Sequence, residues 1–246
     1  MVSYQSFIIR TNGRAVKTFV RDKVRTKRLR ADGARTYDSI LRAAADLAST
    51  DGLDGLTIGS LAERLKLSKS GLFTHFGSKE RLQLATIEAA RLRYVATVLE
   101  PALEAPRGVA RLRAVCERVL DYIEKPEFPG GCFFCVTTAE FHAKPGTVRD
   151  AINLCKGYKR GLLLTLAEQA RELGELSADV DTAQLAFELE TVVDTPTWSV
   201  ATEHKQRELD HARKAVENIL GRAGAPAAPC KAKSRAARMP SQQSAR

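Results

Sequence analysis

Apolar residues recur at every third or fourth position over most of residues 37–221, and this spacing restricts the fold of the 246-residue chain more than any other feature. The first stripe stops at Asp51-Gly52, where glycine suits a left-handed helix end, and it comprises Tyr37, Ile40, Leu41, Ala44, Leu47 and Ala48. We find no convincing run of alternating β-branched residues. Later helices are predicted over residues 108–125, 132–143, 147–173, 182–204 and 206–221. The sequence therefore predicts an all-α fold of about nine helices.

The net charge of +10 belongs to the two ends of the chain. Residues 1–35 hold ten Lys/Arg and two Asp, and residues 221–246 hold six Lys/Arg and no acid, whereas residues 36–220 have a balance of −4. We expect residues 1–33 to be a flexible basic arm and residues 222–246 a disordered basic tail. A basic tail is compatible with phosphate backbones but does not by itself establish nucleic-acid binding.

Several functional classes find no support in the sequence. No apolar run reaches the ~18 residues of a membrane span, and no secretory signal is recognisable, so a cytoplasmic protein without a membrane partner is expected. Five cysteines, an odd number, make a complete disulfide framework improbable in that setting. No nucleotide-binding, hydrolase or zinc-protease motif is present. We therefore expect neither an enzyme nor a cofactor or metal site.

Residues 57–76, TIGSLAERLKLSKSGLFTHF, have the spacing of a helix-turn-helix. Thr57 and Ser68 are each placed to cap a helix of about two turns, and Ser78 is placed to cap the next one. The second helix, 68–76, carries small and basic donors that are suited to phosphates and base edges in the DNA major groove. Two ordinary core helices remain the alternative at this point.

The amino-acid sequence of residues 40–82 resembles the DNA-binding domain of the TetR family of transcriptional regulators. The most specific part is LFTHF-GSKERL, in which His75-Phe76 is followed by Ser78-Lys79-Glu80 and Leu82. The resemblance implies a DNA-binding domain over 34–80 and a helical effector-binding and dimerisation domain over 81–221. It implies the following DNA contacts: Thr57, Lys66, Ser68, Lys69, Ser70, Gly71, Phe73, Thr74, His75, Ser78 and Lys79.

Two positions depart from the family pattern. Lys66 stands where the family usually has a glycine in the turn, and a lysine with positive φ would cost about 1 kcal/mol. Phe73 stands where the family usually has a tyrosine, so a phosphate hydrogen bond is lost there. These departures leave open an alternative function, a helical dimeric interaction protein with degenerate DNA binding.

The stretch PGGCFFCV, residues 129–136, contains two cysteines three positions apart and looks like a segment found in one branch of these regulators. Cys132 falls in the first turn of a predicted helix, where a thiol pKa can be lowered. Three interpretations stay open for Cys132 and Cys135: interior packing or pocket lining, a thiol-based redox-sensing switch, and a metal site that would need further ligands.

As a member of this family the chain is expected to be a homodimeric repressor that binds a palindromic DNA operator and is released by a small apolar or aromatic effector. The predicted effector pocket comprises bulky residues of the middle helices together with one thiol: Tyr122, Cys132, Phe133, Phe134, Phe141, Tyr158, Leu162, Phe187 and Trp198. The predicted dimer interface follows the stripes of the last two helices: Leu185, Leu189, Val192, Val193, Leu209, Ala212, Val216 and Ile219. Pro196 is expected to kink or split the helix over 182–204.

Overall fold

Helices form the body of the chain in the computed structural model, which describes residues 5–11, 14–20, 31–199 and 204–226. The α-helices are α1 (Ala31–Asp51), α2 (Ile58–Leu65), α3 (Lys69–Phe76), α4 (Lys79–Tyr94), α5 (Glu100–Leu103), α6 (Val109–Glu124), α7 (Phe133–Phe141), α8 (Thr147–Glu172), α9 (Thr182–Asp194) and α10 (Lys205–Arg222). The predicted all-α class is confirmed for this body. None of the helices among the described residues is long and apolar enough to cross a membrane.

A two-stranded antiparallel hairpin precedes the helices. Strand β1 (Gln5–Thr11) pairs with β2 (Arg14–Val20), with Gln5 opposite Val20 and Thr11 opposite Arg14. The expectation of a structureless arm over residues 1–33 is corrected for these strands, and α1 begins at Ala31. The missed signal was the Asn12-Gly13 pair between two runs rich in β-branched residues, a strong local indication of a hairpin. Most of the predicted tail, 227–246, lies outside the described residues.

Two long helical segments depart from α-helical geometry next to a proline. Between α4 and α5 the backbone forms a π-helical segment, Val95–Leu99, so the rod continues from Lys79 to Leu103. Pro101 lacks the N–H that would bond to the Thr97 carbonyl, and its ring crowds that carbonyl, which favours the wider turn. Helix α9 ends at Asp194 and passes into a 3₁₀ turn, Thr195–Ser199, which confirms the expected effect of Pro196.

The three predicted caps set the starts of the helices in the N-terminal unit. Thr57 and Ser60 bond reciprocally through side chain and backbone, each at 3.0 Å. The Ser68 hydroxyl accepts from the Gly71 N–H at 3.1 Å, and the Ser78 hydroxyl accepts from the Arg81 N–H at 3.1 Å. Each cap satisfies a backbone donor that the helix leaves free. The chain direction at all three starts is therefore fixed by local sequence.

A continuous hydrophobic core joins the two predicted domains. In the N-terminal unit, α1, α2 and α3 bury Ala44, Leu61, Leu72 and Phe76 against one another. Helix α4 extends from this unit into the larger bundle, where the core residues include Leu112, Leu120, Phe133, Ile152, Leu163 and Leu189. The two predicted domains are thus packed together through one uninterrupted apolar core.

Lys66 ends α2 in the left-handed conformation, with φ 54° and ψ 37°. It is the one non-glycine residue with positive φ in the described part of the chain. Its N–H bonds back to Ala62 and Glu63, so the conformation serves the tight turn into α3. The Cβ of lysine makes this conformation costly, because it approaches its own carbonyl oxygen.

Replacing Lys66 by glycine should stabilise the protein by about 1 kcal/mol, which raises the thermal midpoint by ~2–4 °C, since glycine adopts positive φ without strain. Thermal unfolding followed by circular dichroism measures the shift. Arg64→Gly is the matched control, because Arg64 lies in the last turn of α2 and glycine there should cost about 1 kcal/mol. A destabilisation of equal size in both variants would contradict the strain at Lys66.

Candidate nucleic-acid interface and the helix behind it

Helix α3 presents most of its polar side chains to solvent. Leu72 and Phe76 are buried and fix the helix against α1 and α2. Phe73 is 58% exposed, an unusual position for a large aromatic side chain. The whole predicted DNA-contacting set lies on the exposed surface of α2, α3 and the start of α4: Thr57, Lys66, Ser68, Lys69, Ser70, Gly71, Phe73, Thr74, His75, Ser78 and Lys79. Their role in binding DNA remains a prediction.

Besides the three caps, two members of this set on α3, Thr74 and His75, make local contacts. The Thr74 hydroxyl donates to the Ser70 carbonyl at 2.9 Å. The His75 ring lies 6.0 Å from the Tyr37 ring, which in turn stacks on Phe76 at 5.4 Å. His75 therefore helps to hold α3 against α1, whereas Lys69 and Phe73 have no such structural task in the contacts observed among the described residues.

Lys79, the predicted phosphate contact, is bound to an acid shared with the sensing domain. Its Nζ lies 2.9 Å from Asp54 Oδ1, and the Nζ of Lys144 lies 2.9 Å from Asp54 Oδ2. The hydrogen bonds from Lys144 and then Lys79 lower the pKa of Asp54. All three side chains are well exposed, so the two ion pairs are weak enough to exchange with other partners.

The carboxylate of Glu140, on α7, binds the loop between α1 and α2. It accepts the Leu53 N–H at 2.7 Å and the Asp54 N–H at 2.9 Å. Gly52 makes this approach possible, because its φ is +86° and a Cβ there would lie 2.8 Å from the Glu140 oxygen. A residue of the predicted effector-binding domain thus satisfies two backbone donors of the predicted DNA-binding unit.

The segment before α7 is fixed to α1 as well. The Gly130 N–H donates to the Ser49 hydroxyl at 3.0 Å. A Cβ at Gly130 would lie 1.8 Å from the Ser49 carbonyl oxygen, so no other residue fits without moving the backbone. Nearby, Arg93 pairs with Asp46 of α1 at 2.6 Å. Helix α7 is therefore held to residues 49–54 at both ends, by Gly130 just before it and by Glu140 in its last turn.

Aromatic rings of α4, α6 and α7 form a cluster where these three helices meet. The Tyr94 ring packs edge-on against Tyr122 at 5.2 Å and against Phe134 at 6.2 Å, and Phe133 packs against Phe134 at 5.3 Å. The Tyr122 hydroxyl is buried and has no hydrogen-bond partner among the described residues. Burial, followed by the nearby Cys132 sulfur, raises the pKa of Tyr122 well above its usual range. Such a hydroxyl is available to a polar atom of an incoming molecule.

Cys132 and Cys135 are both free thiols at the start of α7. Cys132 is the N-cap residue, and the Cys135 N–H donates to its carbonyl at 3.1 Å. The pKa of Cys132 is lowered, first by the hydrogen bond from the Cys135 thiol and then by backbone N–H groups and Lys159, against the effect of burial. The pKa of Cys135 is raised by that same hydrogen bond and by burial.

The two other thiols in the described part of the chain differ from this pair. Burial raises the pKa of Cys116 and of Cys155 to about 12. Within the described ranges, no three His, Cys, Asp or Glu side chains are grouped so that they could hold a metal ion. Cys132 is therefore the one thiol among the four described whose pKa is lowered.

The predicted effector pocket is only partly assembled. Tyr122, Cys132, Phe133 and Phe134 meet around α7, and the sequence missed Tyr94, Lys159 and Asp194, which adjoin them. Phe141 and Leu162 are core residues, and Tyr158 lines a separate groove between α4 and α8. Phe187 and Trp198 lie apart from this cluster, because they are 50% and 68% exposed.

Tyr94 could have been found from the sequence, since Ile87, Ala90, Tyr94 and Val98 continue one stripe of α4 at 3- and 4-residue spacing. Lys159 and Asp194 could not, because their ion pair joins α8 to α9 across a long sequence separation.

The predicted dimer stripe lies mostly inside the chain, and its role in dimerisation stays a prediction. Most of it packs into the core of its own chain, because an amphipathic helix turns its apolar face inward; the buried members are Leu185, Leu189, Val193, Leu209, Ala212, Val216 and Ile219. Val192 alone of the eight is partly exposed. It lines a shallow cleft of about 340 Å³ together with Phe187, Thr191, Ala215 and Asn218. The outer face of α9 and α10 is therefore the apolar surface that is open to a second chain.

Two family models match the chain. The model for bacterial regulatory proteins of the tetR family matches residues 40–86, and the model for the tetracyclin repressor-like C-terminal domain matches residues 108–216. Tetracycline repressor protein class A from transposon 1721 of Escherichia coli is 44% identical over 52 residues, which are 21% of this chain and 24% of that repressor. The chain thus spans about a quarter of the length of this curated relative.

Solved structures share the fold at low sequence identity. A TetR transcriptional regulator from Chloroflexus aurantiacus has a TM-score of 0.70 at 22% identity, covering 78% of this chain and 96% of that one. AibR in complex with isovaleryl coenzyme A and operator DNA has a TM-score of 0.56 at 23% identity, covering 72% of this chain and 95% of that one. These similarities extend over both the helix-turn-helix and the larger bundle.

Replacing Glu140 by glutamine should loosen the joint between the two domains. The amide offers one acceptor oxygen for two backbone donors, so we expect a loss of about 1–3 kcal/mol in unfolding free energy and faster hydrogen exchange at Leu53 and Asp54. Exchange measured by NMR or mass spectrometry tests this, with Glu104→Gln, at an exposed position, as the control. Unchanged exchange at Leu53 and Asp54 would contradict a structural role for the carboxylate.

Proposed function

The chain belongs to the TetR family of bacterial regulatory proteins, which are not enzymes, and we propose that it is a homodimeric transcriptional repressor whose DNA binding responds to a small molecule. The observation that carries the proposal is α3, a capped helix with a buried apolar face and a polar outer face of small and basic residues. A helix of this kind fits the DNA major groove.

Two helix starts supply the contacts that position α3 on DNA. The first turns of α3 and α4 have free backbone N–H groups next to Ser68 and Ser78, which favours phosphates at both points. Lys69 and Ser70 are exposed at the start of α3 and can reach base edges or phosphates. Phe73 offers an apolar contact to a thymine methyl group.

Lys79 would exchange its partner on binding. In the free protein its ammonium group rests on Asp54, and Lys144 occupies the other oxygen of the same carboxylate. When Lys79 turns to a DNA phosphate, Lys144 still neutralises Asp54. This arrangement lowers the cost of releasing Lys79, because no carboxylate is left without a cation.

Dimerisation through the outer face of α9 and α10 would present two copies of α3 to the DNA. The shallow cleft at Val192 and the exposed ring of Phe187 supply apolar surface there. A two-fold dimer places the recognition helices about one DNA turn apart, roughly 34–36 Å, or further if the arms are splayed. The operator should then be an imperfect palindrome.

The effector is expected to act through α7. The interior at α4, α6 and α7 combines aromatic rings with the unpaired hydroxyl of Tyr122, which suits an aromatic or largely apolar molecule with one polar group. A molecule that displaces α7 also displaces Glu140 and Gly130, which bind residues 49–54. The population then shifts towards dimers whose recognition helices are wrongly spaced.

Lys69→Ala should weaken binding to a DNA site selected by the protein from a random pool, and should reduce the slope of log affinity against log salt by about one. Fluorescence anisotropy titrations at several salt concentrations measure both. Lys156→Ala, at an exposed position on α8, should leave both unchanged. If no sequence is selected from the pool, the alternative of a helical interaction protein with degenerate DNA binding is favoured.

Val192→Asp should convert the dimer to monomer and weaken operator binding, because two carboxylates would face each other across the two-fold axis without a cation. Sedimentation equilibrium measures the mass. Leu173→Asp is the control, since Leu173 is 52% exposed at the far end of α8. A dimer that persists in Val192→Asp would place the interface elsewhere.

A further inference from the structure

The thiol pair at the start of α7 lies between the two attachments of that helix to the DNA-binding unit. Gly130 binds Ser49 just before Cys132, and Glu140 binds Leu53 and Asp54 at the other end of the helix. We propose that Cys132 and Cys135 form a reversible disulfide in response to hydroperoxides, and that closing this disulfide releases the protein from DNA. The second half of this inference rests on the proposed function.

The two sulfurs have different environments, as a nucleophile and a resolving thiol require. Cys132 is the N-cap residue of α7, and the hydrogen bond from Cys135, the backbone N–H groups of the first turn and Lys159 together lower the pKa of its thiol. These groups favour the thiolate. Cys135 sits in the first turn, where its thiol donates to Cys132 and stays protonated.

Partial exposure of both cysteines gives a small oxidant a route to the pair. Neither cysteine lines the open cleft on the other side of Tyr122. Tyr122 lies next to Cys132 and also lines this cleft, which has a volume of about 510 Å³. Its hydroxyl has no hydrogen-bond partner among the described residues. The remaining lining of the cleft is mostly charged: Thr97, Val98, Arg118, Asp121, Glu124, Lys125 and Glu127. A polar solute such as a hydroperoxide suits this cleft better than an apolar one.

The reaction has two steps. The Cys132 thiolate attacks the terminal oxygen of the hydroperoxide; the O–O bond breaks, and the leaving alkoxide takes a proton to become an alcohol. Cys132 is then a sulfenic acid. The Cys135 sulfur, losing its proton, attacks the Cys132 sulfur; the S–O bond breaks, and hydroxide leaves with that proton as water. The thiol pair loses two electrons, and the hydroperoxide gains them.

We expect closing the disulfide to move the start of α7. A disulfide requires two Cβ atoms ~3.8 Å apart. Cys132 has an extended backbone just outside the helix and Cys135 lies in its first turn, so the bond pulls the residue before the helix and the first turn towards each other. Gly130 has no space to move towards Ser49, since even a Cβ there would collide with the Ser49 carbonyl. The displacement then falls on α7 and on the Glu140 contact.

The experiment uses the full-length protein, first reduced and then treated with hydrogen peroxide. Intact mass and peptide mapping after thiol alkylation should show the loss of two hydrogen atoms and a Cys132–Cys135 cross-link. Affinity for the selected DNA site should fall by about tenfold or more and recover with dithiothreitol. Cys116→Ser and Cys155→Ser are the matched controls and should behave as the unchanged protein.

Two variants separate the steps. Cys135→Ser should stop at the sulfenic acid, which a dimedone probe traps on Cys132, whereas Cys132→Ser should give no oxidation at Cys135. The absence of a cross-link in the unchanged protein overturns the inference. A cross-link with unchanged DNA affinity overturns the regulatory half. If the reduced protein binds no DNA, the proposed function fails, while the mass measurement still decides the thiol chemistry.

Discussion

The carboxylate of Glu140 is the contact on which the relation between the two domains depends. It accepts two backbone N–H groups at the end of α1, at Leu53 and Asp54, and each such charged hydrogen bond contributes about 1.5–3 kcal/mol. Because Gly52 has a positive φ and no side chain, the oxygen can reach the backbone. Helix α7 thus joins α4 in fixing the N-terminal unit to the larger bundle, and under the proposed function an event that moves α7 would change the position of α3.

In the DNA-binding unit, the residue with a strained backbone and the side chain that can change its partner are different residues. Its helix starts are capped by Thr57, Ser68 and Ser78, so α2, α3 and α4 begin where local sequence dictates. Lys66 carries the strain, since it holds a left-handed conformation for the tight turn. The exposed ion pair between Lys79 and Asp54 can exchange, because Lys144 remains on the same carboxylate. Capped helices with one exchangeable ion pair suit a surface that binds and releases a phosphate backbone.

The larger bundle contains polar groups, a buried tyrosine hydroxyl and an ion pair, beside its aromatic core. Aromatic rings of α4, α6 and α7 pack around Tyr122, whose hydroxyl is buried. An ion pair between Lys159 of α8 and Asp194 of α9 lies next to these rings. A purely structural core would avoid a buried hydroxyl without a partner, because it costs free energy. The same cluster surrounds the start of α7, so a ligand and a thiol reaction would both act on the helix that Glu140 ties to the DNA-binding unit.

The sequence alone determined the helices, their caps and the outer face of α3, because these depend on residues three or four positions apart. It also predicted the break at Pro196, and the resemblance to the family marked Lys66 as the position where a positive φ would be costly. It missed the hairpin, although Asn12-Gly13 was a local signal, and it assigned the inward stripe of α9 and α10 to the dimer interface. Periodicity shows which face is apolar but not what covers it. Only the tertiary structure decided the partners of Glu140 and Lys159, because those contacts join residues 87 and 35 positions apart.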